Sequence, residues 1–170
     1  MTLFIFIYIF IIIQRLTELV ISKRNEKFLF SNGGVEFGKS HYKYIVLLHT
    51  FFLLSLPVEF FLKDKEFVLH TINYVFLVIF IILQILRVYV LTTLGKYWNT
   101  RIILIPGKNR VRHGIYKYLN HPNYIIVVCE IFVIPMIFNL YLIAVIFTIL
   151  NALMLFVRIK EENKALKNLI

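Results

Sequence analysis

Leu94 to Tyr124 reads LGKYWNTRIILIPGKNRVRHGIYKYLNHPNY, the longest segment of the chain that is neither continuously apolar nor featureless. It carries three of the six glycines, the only tryptophan and a His121-Pro122 pair. On both sides of it the chain turns into apolar runs of helix length, so this stretch interrupts a set of membrane helices. Composition agrees. Of 170 residues 60% are hydrophobic and 16% charged, and the mean hydropathy is +0.81, far from the balance of a soluble domain. The class is a polytopic membrane protein.

Before the stretch lie three apolar spans, Leu3 to Ile21, Tyr44 to Leu62 and Phe67 to Leu91, and after it two more, Pro122 to Phe138 and Leu140 to Val157. The first span follows no positive charge, and no alanine precedes Ala144, so an A-x-A cleavage site is missing and the run reads as a retained anchor. Ser22 to Lys43 reads as a basic loop with three glycines, Lys63 to Glu66 as a short turn, and Pro135 with Asn139 as a tight reversal. No repeat or linker divides the chain, so residues 1–170 read as one membrane domain with a cytoplasmic segment 94–124 and a tail 158–170. The expected fold is all-α, an integral membrane helical bundle of five transmembrane helices.

Charge sets the expected orientation. The net charge of +10 could suggest nucleic acid, but the basic residues sit between apolar spans, where topology and anionic lipid account for them. Of the 19 Lys and Arg, five lie in the first loop, six in Lys96 to Lys117 and four in Arg158 to Lys167. The positive-inside rule places those three segments in the cytoplasm and the amino terminus outside. Cys129, the single cysteine, excludes an intrachain disulfide and a cysteine metal cluster. No metal is expected.

At about 1.5 Å per residue, Glu130 lies roughly 12 Å in from Pro122 and Asn151 roughly 10 Å in from Arg158. Arg15, Glu18, Gln84 and Arg87 fall in the same leaflet. Ionisable groups at that depth cost several kcal/mol unless they are paired or face a wet cavity. One reading is structural pairs, Arg15 with Glu18 and Arg87 with Glu130. For the whole set a cavity open to the cytoplasm and to lipid is expected.

His121-Pro122 reads as a helix start, with Pro at the first helical position and Asn120 or His121 as the cap. Such a start presents free N–H groups and the positive end of the dipole, which suit a carboxylate or phosphate. Tyr116, Tyr118 and Tyr124 around it could hold a purine or a cation. Tyr97 and Trp98 taken alone fit an interfacial aromatic belt.

Gly114-x-Tyr116-x4-His121-Pro122-x-Tyr124, then two apolar spans, then Arg158-x-x-Glu161-Glu162-x-x-x-Leu166, resembles the pattern of isoprenylcysteine carboxyl methyltransferases and their bacterial relatives. Leu94-Gly95-x-x-Trp98 is similar to the segment leading into that motif, and Gly33 to Tyr42 resembles a short bacterial branch. The resemblance implies a membrane methyltransferase using S-adenosyl-L-methionine. Tyr116, His121, Pro122 and Tyr124 would bind that cofactor, Glu161 and Glu162 would hold its polar groups, and Arg158 would lie nearby. Two departures are evident: the family usually has Arg where this chain has Asn120, and the family's tail usually runs further than Ile170. Both point away from a prenylated cysteine as acceptor.

The expected reaction is methyl transfer to an oxygen, a carboxylate or an enol or phenol hydroxyl, of a lipophilic substrate from the bilayer. Arg158, Glu18 and Glu130 are the candidate catalytic residues, with His41 and His49 as further candidate bases by position. Arg15, Arg87, Trp98 and Asn151 are expected to line the substrate cavity. The expected setting is the cell membrane, with the site facing the cytoplasm, no nucleic acid partner and the oligomeric state open. A phospholipid N-methyltransferase, an NADPH-dependent sterol-type reductase and a non-enzymatic membrane scaffold remain alternatives.

Overall fold

A computed structural model describes residues 1–63, 67–108 and 110–169. The short turn expected at Lys63 to Glu66 lies mostly outside those residues. Five α-helices dominate: α1 Thr2–Ser31, α2 Lys39–Leu62, α3 Thr71–Leu94, α4 Pro122–Ile137 and α5 Tyr141–Leu169. Strands β1 Val35–Phe37 and β2 Ile102–Leu104 pair antiparallel, with Glu36 opposite Ile103. Short 3-10 turns occupy Gly95–Tyr97 and Gly114–Lys117. This is a membrane protein built as a helical bundle, with one small ribbon that the all-α expectation did not include.

Four helices, α1, α2, α3 and α5, are long and apolar enough to cross a membrane. The expected fourth span is shorter. Pro122 sets the first turn of α4, and the chain reverses at Asn139 with a left-handed φ of 57°, which limits α4 to 16 residues. That is about 24 Å of helix against a hydrocarbon thickness of about 30 Å. Helix α4 is instead the buried centre, packed between α3 and α5 with Ile126, Ile131, Ile134 and Ile137 almost wholly enclosed. The reversal is held from α3, where the fully buried Asn73 donates to Asn139 Oδ1 at 2.8 Å and to the Met136 carbonyl at 3.2 Å. Apolar side chains such as Phe6, Val20 and Leu62 stay exposed on the outer helices, as lipid contact requires.

The first helix does not end where hydropathy falls. It runs ten residues past Ile21 because its buried stripe continues through the polar boundary, from Phe4, Ile7 and Ile11 to Glu18, Ser22, Asn25 and Leu29. The loop expected from Ser22 to Lys43 shrinks accordingly to residues 32–38, which carry β1. The tail from Arg158 likewise continues α5 as one helix. Helices α1 and α5 therefore project beyond the apolar zone at the same end of the bundle, and the 94–124 segment spans the space between them. Asn25 fastens that segment to α1, its amide donating to the Gly95 carbonyl at 3.0 Å and to the Trp98 carbonyl at 2.7 Å. Gly38 opens α2 at φ 63°, and a Cβ there would meet the His41 ring at 2.1 Å, so only glycine fits this turn.

Candidate functional site

A cavity of about 210 Å³ lies where the projecting ends of α1 and α5 face β2 and the start of α4. Leu29 from α1, Leu94 from α3, Ile102 to Ile105 around β2 and Leu166 from α5 form its apolar walls. The polar walls are Tyr116, His121 and Tyr124 from the 94–124 segment, with Arg158 and Glu162 from α5. Arg158 and Glu162 are four apart on one helix and so present to the same face.

The polar groups bind one another in a chain. The Tyr124 hydroxyl donates to Glu162 Oε2, and Arg158 Nε donates to the Tyr124 oxygen at 2.8 Å. Arg158 also donates through Nη2 to the Thr100 carbonyl at 2.7 Å, which ties α5 to the segment before β2. His121 stands at the cap position of α4 but makes no capping hydrogen bond. Its ring stacks on Tyr124, with centroids 5.1 Å apart and planes within 9°, and its Nδ1 lies 3.6 Å from Glu162. Arg110 approaches from the other side, with Nη2 3.3 Å from the Asn120 carbonyl and 3.8 Å from Glu162 Oε1. Burial pushes the Tyr116 phenol well above its usual pKa, and the Glu162 charge adds to the shift against the opposing pull of Arg110. Tyr116 is therefore a neutral donor at physiological pH.

Two polar atoms in the cavity wall lack partners among the described residues. Trp98, only 3% exposed, has an unbonded indole N–H, and Asn123 has a buried unbonded Oδ1. Buried polar groups in folded proteins are nearly always satisfied, and these two are exceptions, as are Thr148 Oγ1 and the Asn151 amide nitrogen away from the cavity. The ribbon is held beside the cavity by Arg101, which lies 3.3 Å from carboxylate oxygens of both Glu26 and Glu36 and stacks over the Tyr42 ring at 5.1 Å. Burial disfavours the Arg101 charge, but the two glutamates outweigh it and hold its pKa above the ordinary value.

Of the cofactor-binding residues expected from the sequence, Tyr116, His121, Tyr124 and Glu162 line this one cavity, and Arg158 and Trp98 line it with them. Pro122 is buried at the first turn of α4 behind the wall, and Glu161 is not part of the lining. Asn151 is 1% exposed, seven residues deeper on α5, with its amide nitrogen unpaired and outside the cavity.

The expected catalytic carboxylates Glu18 and Glu130, and the expected cavity arginines Arg15 and Arg87, stand elsewhere. They meet in the bundle interior. Arg15 donates to Glu18 at 2.8 Å and to Glu130 at 2.7 Å, while Arg87 donates to Glu130 Oε1 through Nε at 2.8 Å, to Glu130 Oε2 through Nη2, and to Glu18 at 3.2 Å. Gln14 and Gln84 supply further donors to Glu18 and Glu130. Two arginines and two glutamates thus cancel in a clasp joining α1, α3 and α4. The cavity open to the cytoplasm and to lipid that was expected around these charges is replaced by a void of about 10 Å³ beside Arg15, His49 and Glu130, room for about one water.

The sequence reading missed the apolar walls from Leu29 and β2 and the polar contribution of Asn123. The Ile102-Ile103-Leu104 run, β-branched and set between a polar segment and Pro106-Gly107, carried a strand signal that went unread. Leu29 could have been found by extending the buried stripe of α1 past Ile21.

Comparison with known proteins agrees with this architecture. The model of the isoprenylcysteine carboxyl methyltransferase (ICMT) family matches residues 75–168, which takes in α4, most of α3 and α5, and nearly all of the cavity lining. The chain is 40% identical over 157 residues to the uncharacterized protein YpbQ of Bacillus subtilis (strain 168), covering 92% of each. It is 28% identical over 156 residues to an uncharacterized protein of Haemophilus influenzae, covering 91% of this chain and 90% of that one. No solved structure matches. With the family's pattern spanning more than half the chain and its motif residues gathered around one cavity, the protein belongs to the isoprenylcysteine carboxyl methyltransferase family.

Proposed function

We propose that the protein transfers a methyl group from S-adenosyl-L-methionine to an oxygen, a carboxylate or an enol or phenol hydroxyl, of a lipophilic molecule drawn from the membrane. The observation that carries this reading is the convergence of Tyr116, His121, Tyr124, Arg158 and Glu162 on one cavity at the polar end of the bundle. The donor set fits the cofactor. Aromatic walls suit a purine and a sulfonium, and the start of α4 suits a carboxylate. Bound there, S-adenosyl-L-methionine would supply an activated methyl group on sulfur.

The chain's own part is positioning and exclusion of water. Leu29, Leu94, the β2 residues and Leu166 keep the interior apolar, while Tyr124 and Arg158 fix the Glu162 carboxylate. Arg158 is 7% exposed and, among the described residues, has no carboxylate partner. A guanidinium held only by a phenol and a carbonyl keeps its charge available, which favours an anionic oxygen acceptor over an amine. We place the cavity on the cytoplasmic side of the cell membrane with the amino terminus outside, because 15 of 19 Lys and Arg belong to the three segments at this end.

Calorimetry on detergent-purified protein tests the reading. Wild type is expected to bind S-adenosylhomocysteine, and His121→Ala and Glu162→Ala to lose roughly 10- to 100-fold in affinity with helical content unchanged. NADPH binding in its place would move the assignment to a reductase. A folded sample silent toward both ligands would favour the scaffold.

A further inference from the structure

Three arginines line the cavity, and they differ in how fully they are engaged. Arg101 is shared by two carboxylates at 3.3 Å, and Arg158 donates at 2.8 and 2.7 Å to Tyr124 and Thr100. Arg110 is held loosely. Among the described residues its partners are the Asn120 carbonyl at 3.3 Å and Glu162 Oε1 at 3.8 Å, and 30% of its side chain is exposed. The two oxygens of Glu162 are also unequal. Oε2 takes the Tyr124 hydroxyl and faces His121, whereas Oε1 has only the distant Arg110.

Arg110, from the segment after Gly107, and Glu162, from α5, therefore form the loosely held pair among the charges that line the cavity, separated by more than a hydrogen bond. The Arg110 guanidinium also sits beside the start of α4, because it holds the carbonyl of the residue before the cap. A partly exposed pair at this separation is weak, so a ligand loses little by parting it. At this pair a zwitterion matches both charges, whereas a phosphate or a simple cation matches only one of them.

We infer that Arg110 and Glu162 form a receptor for an α-amino acid group, the ligand's carboxylate lying on Arg110 at the start of α4 and its ammonium on Glu162 Oε1. This rests on the methyltransferase reading and identifies the chain's own residue for the amino-acid end of the cofactor. Arg110 lies outside the Gly114 to Tyr124 motif and the Arg158 to Leu166 tail, so only the folded chain brings it there.

The test compares S-adenosylhomocysteine with its decarboxylated analogue, which lacks only the carboxylate, on wild type, Arg110→Ala and Arg110→Lys. Arg110→Ala is expected to weaken S-adenosylhomocysteine roughly tenfold and to leave the analogue bound as tightly as wild type binds it, with Arg110→Lys in between. Equal losses for both ligands would overturn the assignment, since Arg110 would then be holding the loop rather than a carboxylate. So would undiminished binding of S-adenosylhomocysteine. Wild type binding neither nucleoside would overturn the methyltransferase reading itself, and this inference with it. Binding of the analogue also reports the fold of each variant in the same preparation.

Discussion

The bundle holds two clusters built from the same side chains, and they are finished differently. In the interior, Arg15, Arg87, Glu18 and Glu130 bind one another until both carboxylates and most donors are engaged and the charge cancels. At the polar end, Arg110, Arg158 and Glu162 share space with Tyr124 and His121, but Arg110 is loosely held and the Trp98 and Asn123 polar atoms have no partner among the described residues. A saturated cluster locks helices, while the unsaturated one is where we propose that the ligand binds. Residue type does not distinguish them, because arginine and glutamate supply both. What separates them is how many partners the fold provides within hydrogen-bond reach.

The largest effect expected is in the interior cluster. Arg87→Ala leaves the buried Glu130 without its two-bond partner and takes a second contact from Glu18, and should cost about 3–5 kcal/mol, read as the loss of thermal stability in detergent. Removing charge in balance, with Arg87→Met and Glu130→Leu together, should recover most of that loss, because Arg15 and Glu18 still pair. If the single variant were as stable as wild type but unable to bind cofactor, the interior cluster would be catalytic and the contrast would fail.

Trp98→Phe probes the unsaturated side. Its indole N–H has no protein partner, so the change should cost less than about 1.5 kcal/mol of stability while weakening S-adenosylhomocysteine about fivefold, as loss of one ligand hydrogen bond would. Stability lost without affinity would make Trp98 a packing residue only.

Tyr116 gives the smallest and most specific effect. Its folded pKa is raised, so the neutral phenol contributes stability that is fully present below the unfolded value of about 10 and is lost progressively as pH rises above it. Stability should therefore be flat in this respect through neutral pH, and Tyr116→Phe should remove part of the alkaline decline. An unchanged alkaline profile in that variant would mean that Tyr116 is not shielded as the cavity wall requires.

Much of this was legible in the chain. Long apolar runs identify α1, α2, α3 and α5, and Pro122 and Asn139 mark where α4 starts and where the chain turns back. The motif from Gly114 to Tyr124 and the pair Arg158 and Glu162 point to one site. Boundaries were read less well at the polar ends, where α1 and α5 continue as helix because a buried stripe outlasts the change in hydropathy. The ribbon of β1 and β2 was missed because its strands are three residues each and far apart in the chain, Phe37 pairing with Ile102 65 positions later.

Hydropathy, helix signals and motif spacing are local sums over neighbouring residues, and for that reason the sequence by itself determined the membrane class, the main helices and the family pattern. Pairing is a property of distance in space. Arg15 and Glu130 are 115 residues apart and 2.7 Å apart, Arg110 meets Glu162 from a segment outside the motif, and nothing local distinguishes a glutamate that two arginines will enclose from one that faces a cavity. Only the tertiary structure, by deciding which helix faces which, made Glu130 part of a clasp and Glu162 part of a site.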